Sequence, residues 1–214
     1  VSTAFFASAV RLSVPIILAG AGEVISERVG IINIGLEGMM LVGAFTGVVG
    51  ADISGSPWVG VLTAAAGGLA VAALHGLIVI RWAGDQIVSG LALNLGALGL
   101  TTYLARQLFD TTQQQQVAHF TPVDIPGLSD IPFFGPVLFQ QSPFFYLAVA
   151  IAVALSLVLF RSRAGLRWRA AGEDPDALES VGVSVTRARW QALLLCGALA
   201  GLGGGAISLA QLFT

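Results

Sequence analysis

Hydrophobic residues run along this chain in stretches of about twenty positions separated by short polar joints, and an apolar stretch of that length crosses a bilayer as a helix. Six such stretches stand out, over residues 4–22, 31–50, 57–80, 87–105, 143–160 and 190–211. A backbone group in hydrocarbon cannot bond to water, so each stretch must close its hydrogen bonds internally. The pattern therefore predicts an all-α fold, a polytopic membrane helix bundle with about six spans. The last four spans carry no formal charge in their interiors, although His75, Asn94 and Cys196 lie inside them. Arg11 interrupts the first and Glu37 sits within the second, so either is expected to be broken, tilted or partly interfacial.

The arginines set a direction. Arg161, Arg163, Arg167, Arg169, Arg187 and Arg189 all fall between the fifth and sixth spans. Cytoplasmic loops collect positive charge, so the loop 161–189 is expected inside. Counting back places the joints at 81–86 and 23–28 inside as well, and each carries an arginine. The long stretch 106–142 falls outside. It holds one arginine, Asp110, Asp124, Asp130, a glutamine run at 113–116 and several prolines, a composition that suits an exposed, extended extracytoplasmic loop.

Composition narrows the function classes. Hydrophobic residues make up 56% of the 214 positions and charged ones only 10%, against about 25% charged in a soluble domain. The net charge of -2 provides no basic field for nucleic acid. All ten basic residues are arginine, which excludes a Schiff-base lysine and a phosphate-binding loop that needs its lysine. The lone cysteine, Cys196, excludes an internal disulfide framework. The chain starts at Val1 and stops at Thr214 just after an apolar run, so it is expected to be a piece of a longer protein, and no cleavable signal peptide is visible.

Small residues recur where helices must meet. Lipid is as apolar as leucine, so close backbone approach has to help hold membrane helices together. Gly197, Gly201 and Gly205 recur every four residues in CGALAGLGGG, lining one face, and Gly43 with Gly47 repeat the spacing. Packing is the expected role, with a moving gate as the sharper alternative.

An ionisable group near the bilayer centre costs about 2.5 to 3.5 kcal/mol on insertion scales, so one that stays there faces a cavity or a partner. Glu37 is the main case. Asn33 lies one helical turn before it in INIGLEGMM, which would put both on one face of a helix loosened by Gly35 and Gly38. The pair either lines a pathway or bonds a neighbouring helix for structure alone. Ser89 and Asn94 form a second polar pair inside the fourth span, with interhelix bonding as the plainer reading. Asp85 and Gln86 suit the cap of that helix. His75 is a candidate proton relay or a packed residue, and Arg11 is expected to snorkel or to pair with a group outside this chain.

The inner loop contains its own helix. In RAAGEDPDALESVGVSV, Asp174 suits an N-cap, Pro175 the first helical position and Gly182 the stop. About two turns lie between, with Ala177, Leu178 and Val181 on one side and Asp176 and Glu179 beside them. A helix of roughly 10 Å is too short to be a domain but is suitable as a knob that docks into another protein. The alternative is a solvated loop, which explains the arginines but not the caps.

Three stretches together resemble a family: SERVGIINIGLEGMMLVGAF, AGDQIVSGLALNLGALGLTTYL and GLRWRAAGEDPDALESVGVSVTRARWQALLLCGALAGLGGGAISL. They are similar to permease subunits of bacterial ABC importers of the branched-chain amino acid, ribose and nucleoside group, above all those for nucleosides and simple sugars. The likeness runs from about Ala9 to Leu209. It implies one transmembrane permease domain over 1–214 in the bacterial inner membrane. It implies that Gly172, Glu173, Asp174, Pro175, Ala177, Leu178, Glu179 and Gly182 belong to a coupling helix that inserts into a groove of a separate ATPase subunit. It also implies that the Asn33 to Gly38 region lines the translocation path. The expected partners are ABC ATPase subunits, a second permease subunit, an extracytoplasmic solute-binding protein and the bilayer. No cofactor is expected in this chain, with ATP and Mg bound by the ATPase. Family members continue for further spans, so the pore of this piece is expected to be incomplete.

The reading that emerges is a non-catalytic permease subunit for a nucleoside first and a pentose or other simple sugar next, with Asn33, Glu37, Ser89 and Asn94 as pathway candidates. An ion- or proton-coupled carrier using Glu37 and His75 is the alternative, but it gives the capped helix no purpose. An intramembrane enzyme is disfavoured by the lack of H-E-x-x-H and G-x-S-x-G motifs.

Overall fold

A computed structural model describes residues 3–109, 117–124, 126–129 and 131–211. Helix α1 is Thr3–Arg28, α2 is Leu36–Ser54 and α3 is Pro57–Gly76, which runs on through one π-helical turn at Leu77–Arg81. Then come α4 (Gln86–Leu108), α5 (Pro143–Arg161), α6 (Arg163–Glu173), α7 (Pro175–Ser180) and α8 (Val185–Ala206), the last extended by a π turn at Ile207–Gln211. Among the described residues, six helices are long and apolar enough to cross a membrane.

Helix α8 is the axis of the bundle, with α1, α2 and α3 packed around it; α4 lies on α2 and α5 on α1. Its chemistry explains the placement. The apolar window of α8 is 72% buried, against 17% for α4 and for α5, and most of the buried α8 residues are glycine or alanine, with Leu193 and Leu199 among them. A side chain at Gly197 would strike the Ala72 methyl, and one at Gly201 the Ala64 carbonyl. One at Gly205 would lie 2.8 Å from the Ala64 Cβ. Gly43 of α2 meets the Gly201 backbone in the same way. Gly203 and Gly204 open a second face, where Pro15 of α1 and Met40 of α2 approach. Close approach on two sides turns dispersion between backbones into the main cohesive term.

Helix α1 is continuous through Pro15. Proline has no N–H, so the carbonyl of Arg11, four residues earlier, loses its helical donor. Gln211 Nε2 replaces it, donating to Arg11 O at 2.6 Å. Arg11 itself neither snorkels nor waits for a group outside the chain. Its Nε donates to Oε1 of Gln141 at 3.2 Å, and Gln141 is fully buried, with Nε2 donating to Val137 O at 2.8 Å.

The second span begins at Leu36 rather than at residue 31. Gly30 takes a left-handed φ of 83°, which ends α1, and residues 31–35 follow as a non-helical strap. Asn33 and Glu37 therefore do not share a helix face, which corrects the expectation from their spacing. The inner loop also contains more helix than its single capped knob. Residues 163–173 form α6, because Gly165, Trp168 and Ala171 bury one narrow face while Arg163 and Arg167 stay exposed and Arg169 lies over the Phe160 ring at 5.8 Å.

The two ends of the bundle are distinct. Arg28, the strap, Gln86, α6 and the start of α8 meet at one end, through Ile32 N to Gln86 and Arg189 to Val29 O. The other end joins the start of α1, the end of α8 and residues 117–142, through Phe120 N to Leu209 O at 3.0 Å and edge-on contacts of Phe120 with Trp58 and Phe144. Residues 117–142 are not a plain extended loop. Val117 and Phe120 are buried, and Val123–Asp124 pairs antiparallel with Gln140–Gln141.

Candidate functional site

The strap is the most polar construction in the bundle. Irregular backbone at membrane depth is tolerated only where protein supplies its hydrogen bonds, and here side chains from three helices, α1, α4 and α8, do so. Arg189 Nε donates to Val29 O at 3.2 Å and Ser26 Oγ to Ile31 O at 3.0 Å. Ile32 N donates to Gln86 Oε1 at 2.8 Å, and Asn33 N to Glu23 Oε1 at 2.9 Å. Asn94 serves both sides of the break: Nδ2 donates to Ile34 O at 2.9 Å and Oδ1 accepts from Gly38 N at 2.7 Å, where α2 starts. A Cβ at Gly90 would lie 2.7 Å from Gly35 N, so only glycine lets α4 press so closely on the strap.

Behind the strap lies a small buried cluster. Asn33 Nδ2 donates to Met39 Sδ and to Cys196 Sγ, both at 3.3 Å, and Cys196 Sγ lies 3.7 Å from Glu23 Oε2. His75 is fully buried, with Nδ1 3.0 Å from Ser89 Oγ. Asn33 Oδ1 and His75 Nε2 have no partner among the described residues. Three of the four residues singled out by polarity thus converge here: Asn33 in the strap, and Ser89 and Asn94 on α4 beside it. Glu37 does not join them. It is exposed on the first turn of α2, one turn before Leu41 and on the same face. Leu41, Phe45 and Val48 line a groove of about 330 Å³ with Thr101 and Thr102 of α4 and Ser208 of α8. Glu37 marks the strap end of that groove.

Sequence reasoning missed Glu23, Ser26 and Arg189. Glu23 reads like Glu27, a polar residue at the end of a span, and only the face of α1 that meets α8 distinguishes them. Asp85 is the cap it was expected to be, its Oδ1 accepting from Val88 N at 2.8 Å.

The inner loop folds back as an elbow. Ser162 caps α6 by accepting from Gly165 N at 3.1 Å, and Gly165 packs on the last carbonyls of α5. At the far end of α6, Gly172 sits against the Arg28 carbonyl, so close that a Cβ would overlap it. Asp174 Oδ1 accepts from Ala177 N at 3.0 Å, Pro175 opens α7, and Gly182 leaves it at φ 80°. Leu178 anchors α7 in the bundle, whereas Glu173, Ala177 and Glu179 are exposed and Val181 is 73% exposed. The 28–30 turn is thus touched from both sides, by Gly172 of the elbow and by Arg189 of α8.

A bundle of membrane-crossing helices around a glycine-packed axis, with a capped elbow tied to a broken helix, has the build of a transport subunit. The chain belongs to the family of permease components of branched-chain amino acid transport systems, which it matches over residues 5–213. It is a multi-pass inner-membrane protein. It is 38% identical to the guanosine ABC transporter permease protein NupQ of Bacillus subtilis over 201 residues, 89% of this chain and 62% of the relative. The nucleoside ABC transporter permease protein NupC of Lactococcus lactis is also 38% identical, over 90% of this chain and 63% of its own length. The glucose ABC transporter permease protein TsgB13 of Haloferax volcanii is 30% identical, over 90% and 53% respectively. The chain thus spans less than two thirds of the length of these curated relatives. No solved structure matches it significantly.

Proposed function

We propose that this chain forms the translocation pathway of an ATP-driven importer, carrying a nucleoside first and a pentose or other simple sugar next. Its relatives for guanosine, nucleosides and glucose support that order. The subunit performs no chemistry on its cargo. ATP and Mg belong to a separate ATPase, and a second permease subunit and an extracytoplasmic binding protein complete the assembly. Nucleic acid has no part in it.

The observation that carries this reading is the elbow. An exposed, double-capped helix held by one buried leucine offers a partner a firm surface, and its other end presses on the turn where the strap begins. An ATPase that closes on ATP pushes α7 and α6. The push reaches 28–30 through Gly172, and the strap shifts against α4. Alternating access needs two arrangements that differ in which side is open, and a strap held by polar side chains can exchange partners without dismantling the apolar core. Glycines 197, 201 and 205 keep α8 fixed meanwhile. In this scheme Glu37 and the α2–α4 groove border the path, Asn94 and Gln86 hold the strap, Ser89 bonds His75 behind it, and Asn33 Oδ1 has no partner among the described residues.

The test is co-purification of the full-length protein with its ATPase, comparing intact protein with a variant lacking 174–181. Loss of the ATPase with membrane insertion intact is the expected result. If the deletion variant retains the ATPase, or intact protein never binds one, the proposal is wrong.

A further inference from the structure

The end of the bundle opposite the arginine-rich loop carries an apolar patch to which the proposed function assigns no role. Residues 131–139, IPFFGPVLF, contain no charged or hydrogen-bonding side chain. A turn closed by Gly135 N to Ile131 O at 2.8 Å leads into a π-helical turn at Gly135–Phe139. Burial does not explain the composition, because Ile131 is 38%, Phe133 42% and Phe134 54% exposed. Phe133 holds a left-handed φ of 73°, a conformation that a bulky side chain rarely adopts. That backbone sets its ring 5.3 Å from Phe6 and 5.5 Å from Phe134, both edge-on, and Phe6 in turn meets Phe5 at 5.6 Å.

The row of rings continues onto α1. Phe5, Leu12 and Ile16 fall on one face of that helix by their seven- and four-residue spacing, and they are 63%, 61% and 71% exposed. Because α1 is long and apolar enough to cross the membrane and starts at Thr3, Phe5 and Phe6 stand at the end of a candidate span, the level at which aromatic rings gather at a membrane–water boundary. The 131–139 segment extends the face past the first turn of the span. A docking protein is usually met by a rim of polar groups around an apolar centre, and within 131–139 there are none.

We infer that residues 131–139 form an interfacial anchor, inserted into the acyl-chain boundary of the leaflet at this end of the bundle, with lipid as its partner. Rings there bury apolar area in the boundary, and the turn beneath them closes bonds of its own, Gly135 N to Ile131 O and Phe134 N to Pro132 O. Gln141, immediately after the anchor, bonds Arg11. The segment therefore fixes the height of the outer loop relative to the membrane.

Spin labels on the full-length protein in liposomes test this. Cys196 is the one cysteine of these 214 residues and is buried, so Cys196→Ser, with any cysteine elsewhere in the full-length protein also replaced by Ser, gives a background for Phe134→Cys and Ile131→Cys, with Ile16→Cys as lipid reference and Asp124→Cys as aqueous reference. Phe133→Cys is omitted because its ring packs on Phe6. The expected result is a ratio of oxygen to water-soluble nickel-chelate collisions at 131 and 134 that matches position 16 and exceeds position 124 several-fold. A ratio like that of Asp124→Cys overturns the proposal in favour of a water-exposed loop. Shielding from both reagents, with or without added binding protein, overturns it in favour of a protein partner.

Discussion

Helices α8 and α4 are of similar length and both cross the membrane, yet they are held by opposite means. Helix α8 is fixed by absence of side chain: its glycines let three helices approach until backbone touches backbone. Helix α4 is 17% buried and is fixed by a few polar bonds from Asn94, Ser89 and Gln86, two to the strap, one to the start of α2 and one to His75 of α3. Steric contact is unforgiving and has one arrangement. Polar bonds can be exchanged. The contrast separates a fixed frame (α1, α2, α3 and α8) from an adjustable part (the strap and α4).

Substitutions should break the two halves of that contrast unequally. Gly201→Leu drives a side chain into the Ala64 carbonyl and should cost at least about 3 kcal/mol, read as loss of monodisperse protein in detergent. Asn94→Ala leaves Gly38 N–H and Ile34 C=O without their partner, an expected cost of about 1–2 kcal/mol. A disulfide trap between α2 and α4 should then form over a wider set of positions. At the opposite end, Gln211→Ala should cost about 1 kcal/mol, because the carbonyl freed by Pro15 loses its donor. Adding Pro15→Ala restores a backbone N–H and should cancel that loss, which a double-mutant cycle on thermal unfolding would measure. Gly96→Ala is the smallest change. Nothing lies within 4 Å of its Cβ position, so unfolding should be unchanged or improved by up to about 1 kcal/mol.

The frame was legible in the sequence and the strap was not. Spans three, four and five match their apolar runs closely, because charge or proline bounds each run on both sides. The second span misled because Ile31, Ile32 and Ile34 are as apolar as any helix, and hydropathy does not distinguish a helix from a strap with borrowed hydrogen bonds. What breaks it is the backbone at Gly30, visible in sequence only as one glycine among 27. The caps of α7 were readable because capping is local, and Asp174, Pro175 and Gly182 stand within nine residues. Arginines hid α6: they read as a topology signal, while the face that Gly165, Trp168 and Ala171 bury depends on α5 and α1 being in place. Polarity found Asn33, Ser89 and Asn94 but not their roles. Those depend on partners such as Ile34, sixty residues from Asn94.

The central claim is that the elbow and the strap are one mechanical unit joined at 28–30. Arg189 tests it most directly, since its guanidinium holds Val29 O without belonging to the exposed surface of α7. In the full-length protein reconstituted with the ATPase and binding protein proposed for it, Arg189→Gln should leave ATPase association intact and lower uptake of the proposed nucleoside cargo per ATP hydrolysed. Unchanged uptake per ATP with the ATPase still bound would contradict the account.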